Sequence, residues 1–310
     1  MKQTALTSYP LFSVIIPTYN RADFIEQTLQ TVLHQTYRLC EIIVVDDCST
    51  DRTEELLQPY VNAGQIAVIK NERNSERAVS RNRGMSVAQG DFVTFLDSDD
   101  FMYPNNLADA AEYARAHPEL KCFQNRLEYV NADREVVYRP PYPSLNNRIK
   151  SIANSNFMSC IGNFMHREIY QQYRFDPHPD LVAQEDWDFW LRVLADHPVG
   201  RIEKVNNGVL QHSGRSVNTQ SLESLQAGLD YINRKLREDP HLAAVYRPYF
   251  KRIKANSLVH LAITSNLGAL YARALKYLIA AARVDASVLF SLKFVRVLQI
   301  ALFRLDVTRG

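Results

Sequence analysis

Two carboxylates spaced two residues apart, directly after an apolar strand, can offer oxygen ligands to one hard divalent cation. Asp97-Ser98-Asp99-Asp100 stands in that position, immediately after the run FVTFL. Asp97 and Asp99 could share a cation that also bridges diphosphate oxygens. An acidic turn capping the following helix would use the same residues, so this stretch decides nothing alone. Asp46 and Asp47 follow a second apolar run, EIIVV, and open the segment Cys48-Ser49-Thr50-Asp51. Ser49 to Asp51 can cap a helix beginning near Arg52, but capping does not account for two acids ahead of it. A carboxylate there could accept a hydrogen bond from a base N–H such as uracil offers.

Asn74 to Gly84 reads NSERAVSRNRG and places Arg77, Arg81 and Arg83 near the start of a helix. Cations there oppose the helix dipole, whereas a diphosphate would be held by guanidinium groups and the helix N-terminus together. A solvated basic face is the alternative, and it is the preferred reading for Arg83. In Gln184-Glu185-Asp186-Trp187, the residues Trp187, Trp190, Leu191 and Leu194 recur at helical spacing and form a buried stripe. Packing behind the first turn would hold Asp186, which could act as the general base on an acceptor hydroxyl. Acids placed favourably on the helix dipole are the other reading, and it suits Glu185 better. His212, in VLQHSGRS, could bring an imidazole to the cation or be an ordinary polar residue.

Elements that could gather these residues are legible from Leu11 to Leu96. The strands FSVII, EIIVV, IAVIK and FVTFL alternate with helices near Phe24 to His34, Thr53 to Tyr60 and Ala78 to Ala88. That alternation predicts an α/β fold, a doubly wound, mostly parallel sheet with helices on both faces. The strands are almost wholly apolar, as buried parallel strands are. Ligands bind at the carboxyl ends of such strands, and Thr18 to Asn20, Asp46 to Thr50 and Asp97 to Asp100 all collect there. From about Lys121 to His212 the pattern turns irregular, with Pro140, Pro141 and Pro143 interrupting a hairpin and a helix starting near Glu185. After Ser216 helical periodicity takes over, predicting a catalytic domain over 1–215 and a helical C-terminal region of three or four helices over 216–310.

The bulk numbers exclude several classes. With 36 Lys and Arg against 34 Asp and Glu, the net charge of +2 gives no general attraction to nucleic acid. Cys40, Cys48, Cys122 and Cys160 have no CxxC or zinc spacing, which suits reduced thiols and a cytoplasmic chain. Pro17 stops the first apolar run, which argues against a signal peptide. The longest apolar stretch, Val288 to Leu305, contains Lys293 and Arg296, so it is not expected to span a membrane. On a helical wheel Lys293, Arg296 and Arg304 fall within about 60° to 80° of one another, with Ile300 inside the stripe. Tyr246 to Lys254, YRPYFKRIK, mixes further cations with aromatics. Peripheral contact with a membrane surface is one expectation, with the cytoplasmic face of the inner membrane entering by analogy only, and a last helix packed in a bundle is the other.

Taken in order, FSVIIPTYNR, IIVVDDCSTD, SRNRG, FLDSDD and QEDW resemble glycosyltransferase family two, with the GT-A fold, over roughly residues 11 to 215. The resemblance implies an inverting displacement in which Asp186 is the catalytic base, Asp99 the principal ligand of Mn2+ or Mg2+, and Asp97 its partner. It also implies that Asp47 contacts the nucleotide base beside a wall of Pro17, Thr18 and Tyr19. Asp46, Ser98, Arg77 and Arg81 complete the expected donor site, and His212 stands where relatives place a histidine near the diphosphate or metal. The implied donor is a nucleotide-diphospho-sugar, UDP-linked by preference, and the acceptor a glycan or lipid-linked hydroxyl in bacterial surface polysaccharide assembly. Relatives commonly carry Gly in the loop before the Arg-Asn pair, where this chain has Ser75-Glu76-Arg77. A nucleotidyltransferase of similar fold is the enzymatic alternative, although PTYNRAD after the first strand lacks the glycine-rich loop such enzymes use. A non-catalytic nucleotide-sugar-binding scaffold is the other, and intact Asp97, Asp99 and Asp186 argue against it.

Overall fold

A computed structural model describes residues 9–212, 214–215 and 221–304. Ser213 and Ser216 of VLQHSGRS, the expected start of the helical region at 216, and Leu305 of the last apolar run lie outside the described residues.

In chain order the elements are β1 (Phe12–Thr18), α1 (Ile25–Leu33), β2 (Cys40–Asp46), α2 (Thr53–Asn62), β3 (Ala67–Lys70), α3 (Glu76–Val87) and β4 (Phe92–Phe95). Next come β5 (Phe101–Met102), α4 (Asn106–Ala116), β6 (Cys122–Val130), β7 (Val136–Tyr138), α5 (Arg148–Asn154), β8 (Asn163–His166), α6 (Arg167–Gln172), α7 (Glu185–Asp196) and β9 (Val199–Leu210). The chain divides into two compact units, the first made of residues 1–146, 158–177 and 185–215.

The sheet of the first unit runs β3-β2-β1-β4-β8-β6-β9-β5, with β7 paired to β6. β3, β2, β1 and β4 are parallel, as the alternating pattern predicts. Beyond β4 the sheet becomes mixed: β8 runs antiparallel between β4 and β6, and β9 is parallel to β6. β1, β4 and most of β2 are buried because both faces are covered, whereas β3, at the sheet edge, is exposed or half-buried throughout. Phe12, Val14 and Ile16 of β1 pack with Ile25, Leu29 and Val32 of α1 and with Leu107 and Ala110 of α4. On the other face α3 lies so close to β1 that a Cβ on Gly84 would sit 2.4 Å from Ile15 Cγ2. Gly84 is therefore what lets the arginine-bearing helix approach the strand.

The second unit comprises residues 147–157, 178–184 and 216–310, so two short segments from earlier in the chain, one bearing α5, join the C-terminal helices. Those helices are α8 (Leu222–Glu238), α9 (Pro240–Tyr246), α10 (Phe250–Leu267), α11 (Tyr271–Val284) and α12 (Leu292–Phe303). That is five α-helices among the described residues, against the three or four expected. The extra break comes at Asp239, whose carboxylate accepts from the N–H groups of His241 and Leu242, with Pro240 at the first helical position. Leu222, Leu225, Leu229, Ile232 and Leu236 form the buried stripe of α8. Ala255, Val259 and Ala262 of α10 meet Ala274, Leu278 and Ala281 of α11 and Phe294, Val297 and Ala301 of α12 in a separate apolar core.

Candidate active site

The loops after β1 and β2 are laced together. Asn20 adopts φ 49°, and its side-chain oxygen accepts from the Thr50 N–H at 2.8 Å, while its own N–H donates to Ser49 Oγ. Asp46 Oδ1 accepts from Ser49 through both N–H and hydroxyl, and Asp47 N–H donates to the Thr18 carbonyl. Asp47 Oδ1 takes hydrogen bonds from Asn71 Nδ2 at 2.5 Å and Ser75 N at 2.9 Å, tying β2 to the start of α3. Ser49 and Thr50 thus serve the turn, and of the expected capping segment only Asp51 reaches the helix, accepting from Thr53 N, while the N-cap position is Arg52 with no side-chain cap. The acids ahead of them do more: Asp46 Oδ2 and Thr18 Oγ1 are buried side by side at neighbouring strand ends with no hydrogen-bond partner. Buried polar atoms of that kind point to a polar ligand. Pro17 is half-buried and Tyr19 is 40% exposed, so this edge has an accessible wall.

Asp97 to Asp100 form a turn closed by the Asp100 N–H on the Asp97 carbonyl, and Thr28 Oγ1 pins it from α1 by donating to the Ser98 and Asp100 carbonyls. The four residues then diverge. Asp99 Oδ2 lies 3.0 Å from His212 Nε2 and 3.4 Å from Arg21 Nε. The His212 ring stacks on Phe24 at a centroid distance of 4.6 Å, which fixes its orientation. Asp100 points inward, where Oδ1 accepts from Arg215 at 2.8 Å and from Leu210 N at 2.9 Å, and Oδ2 is buried without a partner. Burial, joined by the charges of Asp97 and Asp99 and opposed by Arg215, pushes the Asp100 carboxyl up to about 8. Asp97 is half-buried. Desolvation would raise its pKa, but Arg81, Arg215 and Arg77 together hold it below the usual carboxylate range.

Arg81 is nearly inaccessible. One guanidinium nitrogen donates to Glu185 at 2.6 Å and another to Asp97 at 3.1 Å, and the group lies over the rings of Phe175 and Phe95. Arg77 is 27% exposed, with Nε 3.8 Å from the same Glu185 oxygen. Arg83 is exposed and donates to the Lys70 carbonyl and to Asn71 Oδ1, away from Glu185 and Asp97. The segment that departs from the relatives' glycine is backbone-strained: Glu76 has φ 68°, the left-handed region that glycine tolerates best.

Asp186 opens α7 half-buried, and its Oδ1 accepts from Trp187 N at 2.7 Å. Behind it Trp187 and Trp190 are buried, and Trp190 Nε1 donates to the Ser159 carbonyl at 2.6 Å. The buried Cys160 thiol feels Arg81, Asp186, Glu185 and Asp97 at once, with burial pushing it well above the ordinary thiol range. One neighbourhood thus contains the acidic turn and the start of α7.

Most of the anticipated residues converge here, with differences of partner. Arg81, expected on a diphosphate, is taken by Glu185 and Asp97. Its burial leaves Arg77, beside Glu185, as the accessible guanidinium at the acidic-turn end of that helix, while the exposed Arg83 turns to Lys70 and Asn71. Sequence reasoning missed Arg21, Arg215 and the inward role of Asp100. The signal for Arg21 was its place one residue past the first strand's polar cluster, while Arg215 carries no local mark. Among the described residues no three His, Cys, Asp or Glu side chains form a ready cage for a metal. Asp99 and His212 do converge, and Asp97 presents a second carboxylate from the same turn. This oxygen-rich, incomplete set fits a cation that takes its other ligands from a diphosphate and water.

The Glycosyl transferase family 2 profile matches residues 13–174. A protein of Bacillus subtilis named as the teichuronic acid biosynthesis glycosyltransferase TuaG is 47% identical over 192 residues, covering 60% of this chain and 72% of that one. A Staphylococcus aureus TarS fragment crystallised with UDP-GlcNAc superposes with TM-score 0.64 at 20% identity, covering 96% of this chain and 93% of that one. The mannosyltransferase PcManGT of Pyrobaculum calidifontis, solved with GDP-Man and Mn2+, gives 0.63 at 17% identity, covering 96% and 85%. Both solved structures share the strand-and-helix plan described above. The profile spans more than half of the chain, and the polar clusters it includes stand on the ends of β1, β2 and β4: this chain belongs to glycosyl transferase family 2.

Proposed function

We propose that the chain is an inverting transferase that moves a sugar from a nucleotide-diphosphate donor, UDP-linked by preference, to a hydroxyl of a glycan or lipid-linked acceptor in cell-surface polysaccharide assembly. The observation that carries this reading is the bridge through Arg81, which ties the Asp97 end of the acidic turn to the Glu185-Asp186 end of α7. One end suits a leaving diphosphate and the other an attacking hydroxyl.

Pro17, Thr18, Tyr19, Asp46 and Asp47 would hold the nucleotide, with the buried, unpartnered Asp46 Oδ2 and Thr18 Oγ1 facing its polar groups. Asp97, Asp99 and His212 would hold Mn2+ or Mg2+, whose chemistry when bound is to neutralise charge on the leaving diphosphate. Arg77 and Ser98 would add contacts to the phosphates. Asp186 would take the acceptor proton as the acceptor oxygen bonds to the anomeric carbon and the bond from that carbon to the diphosphate breaks. Attack from the side opposite the leaving group inverts the centre. Glu185 and Arg81 would position the two ends.

Two sources support the donor and setting. The solved neighbours hold a nucleotide sugar, one of them with Mn2+, and TuaG is named for teichuronic acid biosynthesis. Family membership leaves the nucleotidyltransferase alternative without support. A panel of UDP- and GDP-sugars, assayed with Mn2+ for thermal stabilisation and for slow release of nucleoside diphosphate, tests the reading. Stabilisation and release with a UDP-sugar are expected. No response to any nucleotide sugar would overturn it.

A further inference from the structure

We propose that the outer face of α12, with the turn over Ala286–Phe290 that precedes it, docks on a membrane surface carrying anionic headgroups. The inner face of α12 is spent: Phe294, Val297 and Ala301 are buried against α10 and α11. The outer face is apolar nonetheless. Phe290 is 91%, Leu292 89% and Phe303 70% exposed, and Leu289, Val295 and Leu302 are exposed beside them. Apolar side chains gathered this way on one surface mark an interaction site.

Charge selects the occupant. Between Tyr271 and Arg304 the chain carries six cations and one acid, Asp285, whereas the whole chain is only +2. That acid is engaged by Arg252 at 3.0 Å and by the Ser287 N–H. Lys293 and Arg296 are exposed on the same helix as the apolar residues, whereas Arg304, also exposed, is the C-cap in the left-handed conformation (φ 51°) and so leaves the wheel stripe the sequence suggests. A second copy of the chain, paired about a two-fold axis, would bring these cations against their own counterparts, so self-association is disfavoured. Anionic headgroups with acyl chains beneath them satisfy both the cations and the apolar side chains. The helix lies on such a surface and does not cross it: α12 has 12 residues, and among the described residues no helix is long and apolar enough to span a bilayer.

Much of the second basic and aromatic group, Tyr246 to Lys254, is spent within the helical unit. Tyr246 and Ile253 are buried, Arg252 pairs with Asp285, and Lys254 with Asp230 at 2.5 Å. Deleting the last helix would strip the core it shares with α10 and α11, so point substitutions on the exposed face are the cleaner probe.

The experiment is co-sedimentation of the full chain with vesicles of phosphatidylcholine alone or with about one-third phosphatidylglycerol. It needs no substrate, so its result is separate from the transferase reading. The intact protein should bind the anionic vesicles, ignore the neutral ones and come off as salt rises. Phe290→Ser with Leu292→Ser and Phe303→Ser, and separately Lys293→Glu with Arg296→Glu, should each weaken binding by at least about tenfold with an unchanged melting temperature. The two variants probe different chemistry, so a folding defect in one leaves the other to decide. Failure of the intact protein to bind, equal binding by the folded variants, or conversion of an oligomer to monomers without loss of vesicle binding would each overturn the proposal.

Discussion

Arg81 and Glu185, 104 positions apart in the chain, meet at 2.6 Å with both side chains almost wholly out of water. A buried ion pair is costly to break from one side because the surviving charge is left without compensation. Arg81→Met should therefore destabilise the protein by about 3 to 5 kcal/mol. Arg81→Met combined with Glu185→Leu should cost less than the sum of the single changes, read from urea denaturation of all four proteins. Additive losses would show that the two side chains are not coupled.

Asp186 is proposed to act on the acceptor and not on the donor. Asp186→Asn keeps the shape and the acceptor oxygen for Trp187 N but cannot take a proton. It should retain nucleotide-sugar affinity within a few fold while kcat falls by roughly two to four orders of magnitude. A near-normal kcat would remove Asp186 from the chemistry.

Chelation should act on the opposite half of the site. If Asp97, Asp99 and His212 hold a divalent cation, excess EDTA abolishes turnover and added Mn2+ or Mg2+ restores it. Asp99→Ala should abolish turnover irreversibly, and His212→Ala should raise the Mn2+ concentration needed for half-maximal rate. Full activity in EDTA would show that the cation is not required.

Asp100 supplies a pH signature in chelated protein. Its carboxyl is raised from 3.8 to about 8 in the folded chain, so between those values the native state holds a proton that the unfolded state has lost. Stability from this group is full below about 4 and is lost as pH climbs through about 8. Asp100→Asn removes that dependence while keeping an acceptor for Leu210 N. The melting temperature of the parent should thus fall relative to Asp100→Asn between pH of about 5 and about 9. A constant gap between the two proteins would contradict the assignment.

The sequence by itself determined the parallel half of the sheet. Apolar runs of strand length alternating with helical periodicity admit few arrangements, and β1 to β4 and α1 to α3 form within a few residues of where the pattern puts them. It also determined which end of that half carries the polar residues, because Asp46 and Asp47 stand at the end of the EIIVV run and Asp97 to Asp100 at the end of FVTFL.

Tertiary structure decided what the local pattern could not contain. The antiparallel insertion of β8 between β4 and β6 depends on pairing across distant segments, and so does the inclusion of residues 147–157 and 178–184 in the helical unit. Partners were decided in the same way. Arg81 reads locally as a phosphate-binding cation at a helix start, yet folding brings Glu185 to it, and charges leaving water must be compensated by whichever opposite charge lies nearest. Asp99 reads as a metal ligand from its spacing, whereas the approach of His212 from 113 residues away is fixed only by β9 and by stacking on Phe24. Spacing along a chain specifies which groups can act together within a turn of backbone. Burial, which sets the strength of every charge interaction here, exists only once the elements have packed.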